Sequence, residues 1–237
     1  MAPLATVVIP VLNEEKYLPL CLKSLGAQTV GKENIEVIVV DSGSTDKTVD
    51  VAQEWGARVI MGEKSIPLNR QKGTDAASTE IVLSTDADCI HPPDWIERML
   101  KHLADEKVLA VSGPTKPIPE ESIWLDKACY FIGNLTLLLL HRLFKKSWFR
   151  GSNSAYRKQA IKKAGGYNLT LKAREDSDLS SRIDKLGKTK FDWNIVVYTS
   201  MRRRKNQGWL KTLRYYVDTP IHLITGKVYY KKAEDKE

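Results

Sequence analysis

Short apolar runs alternate with amphipathic stretches through the first half of this chain. The runs have the length and the β-branched composition of buried strands, and the stretches between them have the spacing of helices. Strands are predicted at 6–11, 35–40, 58–61 and 81–83, with helices that start near 13, 48, 67 and 95. Four strand–helix repeats in about a hundred residues predict an α/β fold with a mostly parallel sheet and right-handed crossovers.

The hydrophobic pattern of the second half is less regular. Strands are predicted at 108–112, 150–156, 190–193 and 195–199, and helices at 122–144, 158–164, 175–186 and 208–224. The helix at 175–186 has acidic residues in its first turn and Gly187 after its last turn, which are both typical of helix ends. This order of elements predicts one large domain over residues 1–205, followed by a helical tail over 206–237.

The charge of the chain narrows the range of partners. The chain has 237 residues, a net charge of +8 and a pI of about 9.2, so anionic partners such as nucleotides, phospholipids or nucleic acid are favoured. After position 141 the basic residues cluster beside aromatic ones, as in the run 202–205 near Trp209. Such clustering is typical of an interfacial surface, whereas a single basic run is more often plain solvated surface.

The segment 135–144 is strongly apolar, and His141 and Arg142 interrupt it. It is shorter than the roughly 18 residues that a spanning helix needs, so it is not predicted to cross a membrane. Two interpretations stay open for this segment. One is a helix in the core or in a homodimer interface, and the other is a patch on a membrane surface with basic residues at the headgroups.

The cysteines and the start of the chain bear on localisation. Cys21, Cys89 and Cys129 lie far apart without metal-like spacing, which indicates reduced thiols. The chain begins directly with a predicted strand, so no signal peptide is expected. We therefore expect a cytoplasmic protein, with a peripheral position on the cytoplasmic membrane face as the variant that the apolar segment suggests.

Carboxylates stand at the loop edges of three predicted elements. Asp41 follows the second strand, Asp86 and Asp88 follow the fourth, and Glu175, Asp176 and Asp178 open a later helix. Each group alone is better explained as a turn or helix cap. Ligands bind at the carboxyl edge of parallel sheets, and carboxylates gathered there would repel one another without a cation. The whole set therefore favours a divalent metal site.

Two common nucleotide-binding motifs are absent from the sequence. No Gly-x-Gly-x-x-Gly follows a predicted strand, and no phosphate-binding loop ends in Gly-Lys-Ser/Thr. The sequence therefore argues against a dinucleotide-dependent dehydrogenase and against a P-loop nucleotidase.

An ordered series of short motifs is the most specific signal in the chain. The motifs are Val7-Val-Ile-Pro-Val-Leu-Asn-Glu-Glu15, Val39-Val-Asp-Ser-Gly-Ser-Thr-Asp46, Asn69-Arg-Gln-Lys-Gly73, Leu83-Ser-Thr-Asp-Ala-Asp88, Gly151-Ser-Asn-Ser-Ala-Tyr-Arg157, Gly165-Gly-Tyr-Asn168 and Glu175-Asp-Ser-Asp-Leu179. With these motifs, the region 4–205 resembles the family 2 glycosyltransferases of the GT-A fold. The resemblance implies a nucleotide-binding half near 1–113 and an acceptor half near 114–205.

The resemblance also implies a donor and a metal. The reaction would move a sugar from a UDP- or GDP-sugar to an acceptor hydroxyl or a lipid phosphate. The residues that would hold the nucleotide-sugar are Pro10, Val11, Asn13, Glu14, Asp41, Arg70, Asp86, Asp88 and Arg202. Asp88 would coordinate Mg²⁺ or Mn²⁺, which acts as a Lewis acid on the departing nucleoside diphosphate.

On the acceptor side, Asp176 matches the general base of the family, which deprotonates the acceptor hydroxyl in a single inverting displacement. The acceptor and sugar pocket would contain Gly151, Ser152, Asn153, Glu175 and Trp209. The basic motif 201–209 departs from the Gln-x-x-Arg-Trp of processive synthases, so single-sugar transfer is expected. Guanidinium groups match phosphate well, so a phosphate-facing role is expected for an arginine of the run 202–204.

Two other function classes compete with this interpretation. A sugar-phosphate nucleotidyltransferase would use a similar sheet and metal site, but it opens with a Gly-rich phosphate loop, which Val11–Glu15 lacks. The basic charge permits a non-catalytic nucleotide-sugar or nucleic-acid binding module, but the presence of Asp88 and Asp176 speaks against one. The expected partners are a nucleotide-sugar donor, a glycan or polyprenyl-phosphate-type acceptor and a membrane surface, rather than nucleic acid.

Overall fold

Two β-sheets organise the part of the protein that the computed structural model describes, residues 2–144 and 146–202. The strands of the large sheet are β1 (Ala5–Val11), β2 (Ile35–Asp41), β3 (Arg58–Met61), β4 (Ile81–Ser84), β6 (Val108–Ser112), β8 (Ser154–Arg157) and β9 (Lys188–Phe191). Those of the small sheet are β5 (Cys89–Ile90), β7 (Thr115–Pro117) and β10 (Val197–Thr199). The orders are β3-β2-β1-β4-β8-β6-β9 and β5-β10-β7.

Helices connect most of these strands. They are α1 (Leu18–Gly26), α2 (Thr48–Trp55), α3 (Ile66–Ala76), α4 (Trp95–Leu103), α5 (Trp124–Phe144), α6 (Lys158–Lys163) and α7 (Glu175–Ile183). Short 3₁₀ turns lie at Lys32–Asn34 and Pro119–Glu121.

Strand direction determines where loops can meet. β1 runs parallel to β2 and β4, and β2 runs parallel to β3, whereas β8 runs antiparallel to β4 and β6. The predicted α/β fold with a mostly parallel sheet is therefore confirmed. In the register of β1 and β2, Val11 pairs with Asp41. The carboxyl ends of β1, β2 and β4 consequently share one edge of the sheet.

The core explains why the first strands are continuous apolar runs. β1 and β2 are covered on both faces, as is usual for parallel strands with helical crossovers. On one face, Val7 and Ile9 belong to a cluster with Leu22 of α1 and Met99 of α4. On the other face, Val8 packs with Ile38 and Val40 of β2. Burying each such side chain contributes roughly 1.5–3 kcal/mol.

The predicted start of the first helix is wrong for a physical reason. The first helix was expected to begin near Asn13, but α1 begins at Leu18. Asn13 has a positive φ of 53°, which is incompatible with a right-handed helix. Pro19 then occupies the first turn of α1, where a missing N–H has no cost. The freed loop is part of the site described below.

The apolar segment of the second half forms part of α5, which confirms the predicted helix. The side chain of Asn134 fastens this helix to β7, since its amide donates to the carbonyl of Thr115 at 2.6 Å. In residues 2–144 and 146–202, we find no helix with the length and apolarity required to cross a bilayer. The predicted tail over 206–237 lies outside the described residues.

Candidate active site

The loops that follow β1 and β2 are locked together by side chains. Oδ1 of Asn13 accepts a hydrogen bond from the backbone N–H of Thr45 at 2.9 Å. The N–H of Asn13 donates to Oγ of Ser44, also at 2.9 Å. The unusual backbone of Asn13 is therefore held by contacts with the neighbouring loop, and the two loops lie together at the carboxyl edge of the sheet.

Asp41 ends β2 beside the end of β1. Pro10 pairs with Val40, and Val11 pairs with Asp41, in the parallel register. The Asp41 carboxylate is buried and accepts hydrogen bonds from the N–H groups of Gly43 and Ser44, each at 3.0 Å. Asp41 therefore closes its own turn, as the capping interpretation expects. Its predicted role toward a nucleotide base stays a prediction.

Two carboxylates and a thiol meet just after β4. The ligand atoms of Asp86, Asp88 and Cys89 lie within 4.8 Å of one another. The side chains of Asp86 and Asp88 are 42% and 14% exposed, so Asp86 is the more accessible of the two. Carboxylate oxygens are the donors that Mg²⁺ and Mn²⁺ prefer.

The thiol of Cys89 does not fit such a cation. Cys89 is buried, and burial and the nearby Asp88 and Asp86 carboxylates raise the pKa of its thiol well above the usual range. The protonated thiol donates weakly to Oδ1 of Asp88 at 3.9 Å. Metal ligation requires a thiolate, and thiolates suit softer ions, so the two aspartates are the residues that fit a hard cation here.

Arg202 joins two of the residues predicted on the nucleotide side. Its Nη1 and Nη2 donate to the two carboxylate oxygens of Glu14 at 2.5 and 2.6 Å, and its Nε lies 3.0 Å from Oδ2 of Asp88. Burial raises the pKa of Glu14, and the guanidinium opposes that rise. The guanidinium also lies over the ring of Tyr17, with Cζ 5.1 Å from the ring centroid. One cation therefore balances two acids of the candidate site.

Arg70 joins the metal-side acids to the acceptor side. Its side chain is only 4% exposed, and it donates to Asp86 through Nη2 at 2.6 Å and to Glu175 through Nε at 3.1 Å. Glu175 is itself buried. Arg70 is therefore buried and in contact with both acids.

Asp176 lies in the first turn of α7, partly exposed, beside the loop that precedes β8. The N–H of Gly151 donates to its Oδ2, and the N–H of Ser177 donates to Oδ1 at 2.7 Å. Burial and then the Glu175 charge raise the pKa of Asp176 to about 6, against the lowering effects of Arg70 and the two N–H donors. Such a carboxylate is well suited to take a proton near neutral pH.

The 151–153 loop divides into parts with different roles. The carbonyl of Ser152 accepts a hydrogen bond from the Thr85 hydroxyl at 3.1 Å. The side chain of Asn153 is fully buried, and its amide is committed to Trp95, Pro114 and Ile195 at 2.7–2.9 Å. The side chain of Asn153 therefore supports the loop from the interior, and its predicted place in the pocket stays a prediction.

Some residues near the candidate site could not be selected, or cannot be located, from the sequence and the described part of the structure. The predicted pocket residue Trp209 lies outside the described residues. Tyr17 was not predicted, and neither was Arg150, whose guanidinium lies over Tyr130 of α5 with Cζ 5.8 Å from the ring centroid. Arg150 directly precedes Gly151, so it links α5 to the loop that binds Asp176. No local pattern marks either residue, since both act through contacts between distant parts of the chain.

Comparison with known proteins identifies the class. Residues 6–165 match the family model described as "Glycosyl transferase family 2". The chain therefore belongs to glycosyl transferase family 2, and its sheet and helices form the GT-A fold of that family. The predicted family is thus confirmed.

Two curated relatives illustrate the range of the family. A putative glycosyltransferase EpsH of Bacillus subtilis is 36% identical over 115 residues, which is 46% of this chain and 33% of the relative. An undecaprenyl-phosphate 4-deoxy-4-formamido-L-arabinose transferase of Pseudomonas syringae is 32% identical over 128 residues, which is 50% of this chain and 37% of the relative. The chain thus spans about a third of the length of these relatives.

Two solved structures share the fold at low identity. A mannosyltransferase of Pyrobaculum calidifontis, in complex with GDP-mannose and Mn²⁺, has a TM-score of 0.70 at 22% identity, covering 96% of this chain and 66% of its own. TarS 1–349 of Staphylococcus aureus, in complex with UDP-GlcNAc, has a TM-score of 0.68 at 17% identity, covering 96% and 68%.

Proposed function

We propose that this protein moves one sugar from a nucleotide diphosphate sugar to an acceptor hydroxyl or lipid phosphate, with inversion at the anomeric carbon. The observation that carries the proposal is the connection of two acidic sites. Asp86 beside Asp88 and Asp176 on α7 are joined through Arg70 and Gly151. One site suits a cation at the leaving group, and the other suits a proton acceptor at the attacking group.

On the donor side, we assign the nucleotide to the loops after β1 and β2. Pro10, Val11 and Asn13 would border the nucleotide, and the carboxylate of Asp41 would accept an N–H of the base. Two of the structural neighbours carry GDP-mannose and UDP-GlcNAc, so a GDP-sugar and a UDP-sugar are both candidate donors.

Asp88, with Asp86 beside it, would hold Mg²⁺ or Mn²⁺. When bound, the cation would supply charge stabilisation to the departing nucleoside diphosphate. A neighbour of the same fold carries Mn²⁺, and the two aspartates offer matching oxygen donors. The guanidinium of Arg202 already lies against Asp88, where a phosphate bound to the same cation would also meet it.

On the acceptor side, Asp176 takes the proton of a hydroxyl as that oxygen forms a bond to the anomeric carbon. The bond from the anomeric carbon to the nucleoside diphosphate breaks in the same displacement, so the configuration inverts. Gly151, Ser152 and Glu175 would border the sugar. A lipid phosphate would instead attack as an anion. Because such an acceptor is already deprotonated, it would have little need of Asp176 as a base.

Calorimetry with nucleotides tests the proposal. UDP, GDP and their sugar conjugates are titrated into the protein with Mn²⁺ and, separately, with a chelator. We expect one nucleotide class to bind with Mn²⁺ and to bind at least tenfold more weakly with chelator, because the cation offsets the diphosphate charge. If neither class binds in either condition, the proposed function is overturned.

The acceptor proposal draws on the outer face of α5. Its exposed apolar residues are Trp124, Phe131, Ile132, Leu135, Leu139 and Leu143. Its inner face carries the buried Tyr130 and Asn134, and Tyr130 lies against Arg150 of the site loop. The exposed charged residues of α5 are the cations Lys127 and Arg142, whereas its single acid, Asp126, is buried. We propose that this face binds an anionic membrane surface and presents a lipid-linked acceptor.

Vesicle sedimentation tests the α5 face. We expect binding to phosphatidylglycerol vesicles and roughly tenfold weaker binding for Phe131→Asp, since burying such a side chain is worth about 1.5–3 kcal/mol. The matched control Leu186→Asp alters a similarly exposed side chain just after α7 and should bind as the wild type does. A different result would be that the wild type does not bind vesicles and sediments as a dimer, which Phe131→Asp dissociates. In that case the exposed face of α5 is a dimer interface instead.

A further inference from the structure

Arg70 receives no catalytic step in the reaction above, although it is the most connected cation of the site. Beyond its pairs with Asp86 and Glu175, its Nη1 donates to the carbonyls of Gly151 at 3.3 Å and Thr85 at 3.4 Å, and to the hydroxyl of Ser84. All three nitrogens of the guanidinium therefore have acceptors within the protein. We propose that Arg70 is a positioning residue that holds the metal-side acid and the acceptor-side acids in one fixed arrangement.

The planar guanidinium explains why an arginine can do this. Its donors diverge in fixed directions within one plane, so acids bound through different nitrogens are held at a set angle. Asp86 follows β4 and Glu175 opens α7, and these two positions are 89 residues apart in the sequence. The contacts of Arg70 on α3 therefore fix the position of the loop that carries Asp86 relative to α7, the helix that carries Asp176.

Gly151 supplies an independent observation. A Cβ added at Gly151 would lie 2.5 Å from Nη2 and 2.7 Å from Cζ of Arg70, so the guanidinium would have to move out of its present contacts. The loop therefore packs its backbone directly onto the guanidinium, with the Gly151 carbonyl accepting from Nη1. On the other side of the same residue, the N–H of Gly151 donates to Asp176. Arg70 thus positions Asp176 through one glycine.

The positive charge of Arg70 has a second effect, which is on the pKa of Asp176. Within residues 2–144 and 146–202, the titratable groups that act on Asp176 electrostatically include Glu175 on its own helix, Arg70 on α3, Tyr156 on β8 and Tyr167 in the loop after α6. Among these groups, Arg70 is the one cation. Its charge lowers the pKa of Asp176, whereas burial and Glu175 raise it. Loss of the guanidinium would therefore shift the titration of Asp176 upward.

Two substitutions of Arg70 separate the effect of its planar shape from the effect of its positive charge. Arg70→Met removes both, and we expect the pKa of Asp176 to rise by at least about one unit, as for loss of a nearby opposite charge. Arg70→Lys keeps the positive charge but lacks the planar guanidinium, so we expect a smaller rise in the pKa of Asp176. Because the acids are then held less precisely, we also expect kcat to fall tenfold or more, with the donor KM changed less. The control Lys72→Met removes an exposed cation of α3 that pairs with Glu63, and it should change neither quantity.

The readout is the ¹³C NMR titration of the Asp176 carboxyl, assigned by its absence in Asp176→Asn, together with the pH profile of kcat/KM. This inference rests on the proposed function, yet the titration needs no turnover. A failed transferase with a shifted titration would refute the function and leave the arrangement intact. An active transferase in which Arg70→Met leaves the pKa of Asp176 unchanged would overturn the inference. If Arg70→Met does not fold, unchanged kcat and pH profile in Arg70→Lys would overturn it.

Discussion

Asp176→Asn is expected to lower kcat by roughly 10²–10⁴-fold on a hydroxyl acceptor, which is the usual contribution of a general base. In the wild type, kcat/KM should rise with pH through about 6, because the carboxylate must be deprotonated to accept the proton and its pKa lies near that value. Below this pH the rate should fall about tenfold per unit, and the acid limb should vanish in the variant. Initial rates between pH 4.5 and 9 measure both effects.

Thermal unfolding provides the control for this variant. Because the folded protein raises the pKa of Asp176, the folded state binds more protons than the unfolded state between the ordinary aspartate pKa and about 6. The free energy of unfolding of the wild type therefore falls as the pH rises through that window. Asp176→Asn cannot ionise, so the variant should not show this loss. We expect a Tm at pH 8 equal to or above that of the wild type. A rate loss under tenfold in a folded variant would contradict the role of Asp176 as base.

Asp88→Asn is expected to abolish the Mn²⁺ dependence of nucleotide binding and to lower kcat by roughly a hundredfold or more. Lewis-acid stabilisation of a leaving group is worth several kcal/mol, and each 1.36 kcal/mol is a factor of ten. An amide oxygen keeps the shape of the side chain but removes the charge that attracts the cation. Calorimetry with and without chelator, followed by initial rates, measures the two losses.

The matched control is Asp94→Asn, six residues further along the chain. Asp94 pairs with Arg98 on α4 and lies outside the acidic cluster, so its variant should keep the wild-type response to Mn²⁺. Equal metal dependence in Asp88→Asn and the wild type would show that Asp88 does not hold the cation.

Elements with a strong local signal could be predicted from the sequence. β3 has its predicted bounds and α4 begins at its predicted residue, because an apolar run with a following breaker and an amphipathic stretch after Asp94 are signals within a few residues. The order of the motifs predicted the family correctly for the same reason. The small sheet was not predicted. β10 lies within the predicted strand 195–199, but the short strands β5 and β7 exist only through pairing with β10, which is distant in the sequence.

The site was predictable as a set of residue types and less so as an arrangement. Asp86, Asp88 and Asp176 could be selected because carboxylates at strand and helix ends stand out along the chain. Asn153 looked equally polar, yet its amide satisfies buried groups in three distant segments, which only the folded chain reveals. The contact of Arg70 with Glu175 likewise depends on tertiary packing.

In the proposed function, the bidentate pair of Arg202 with Glu14, together with its contact to Asp88, would make ligand binding an exchange of counterions. The guanidinium neutralises two acids that would otherwise repel one another. A divalent ion that takes Asp88 as a ligand must share this carboxylate with Arg202 or displace it. A free metal ion therefore competes with an internal cation, whereas a metal that arrives with a diphosphate offers the displaced guanidinium a new anion.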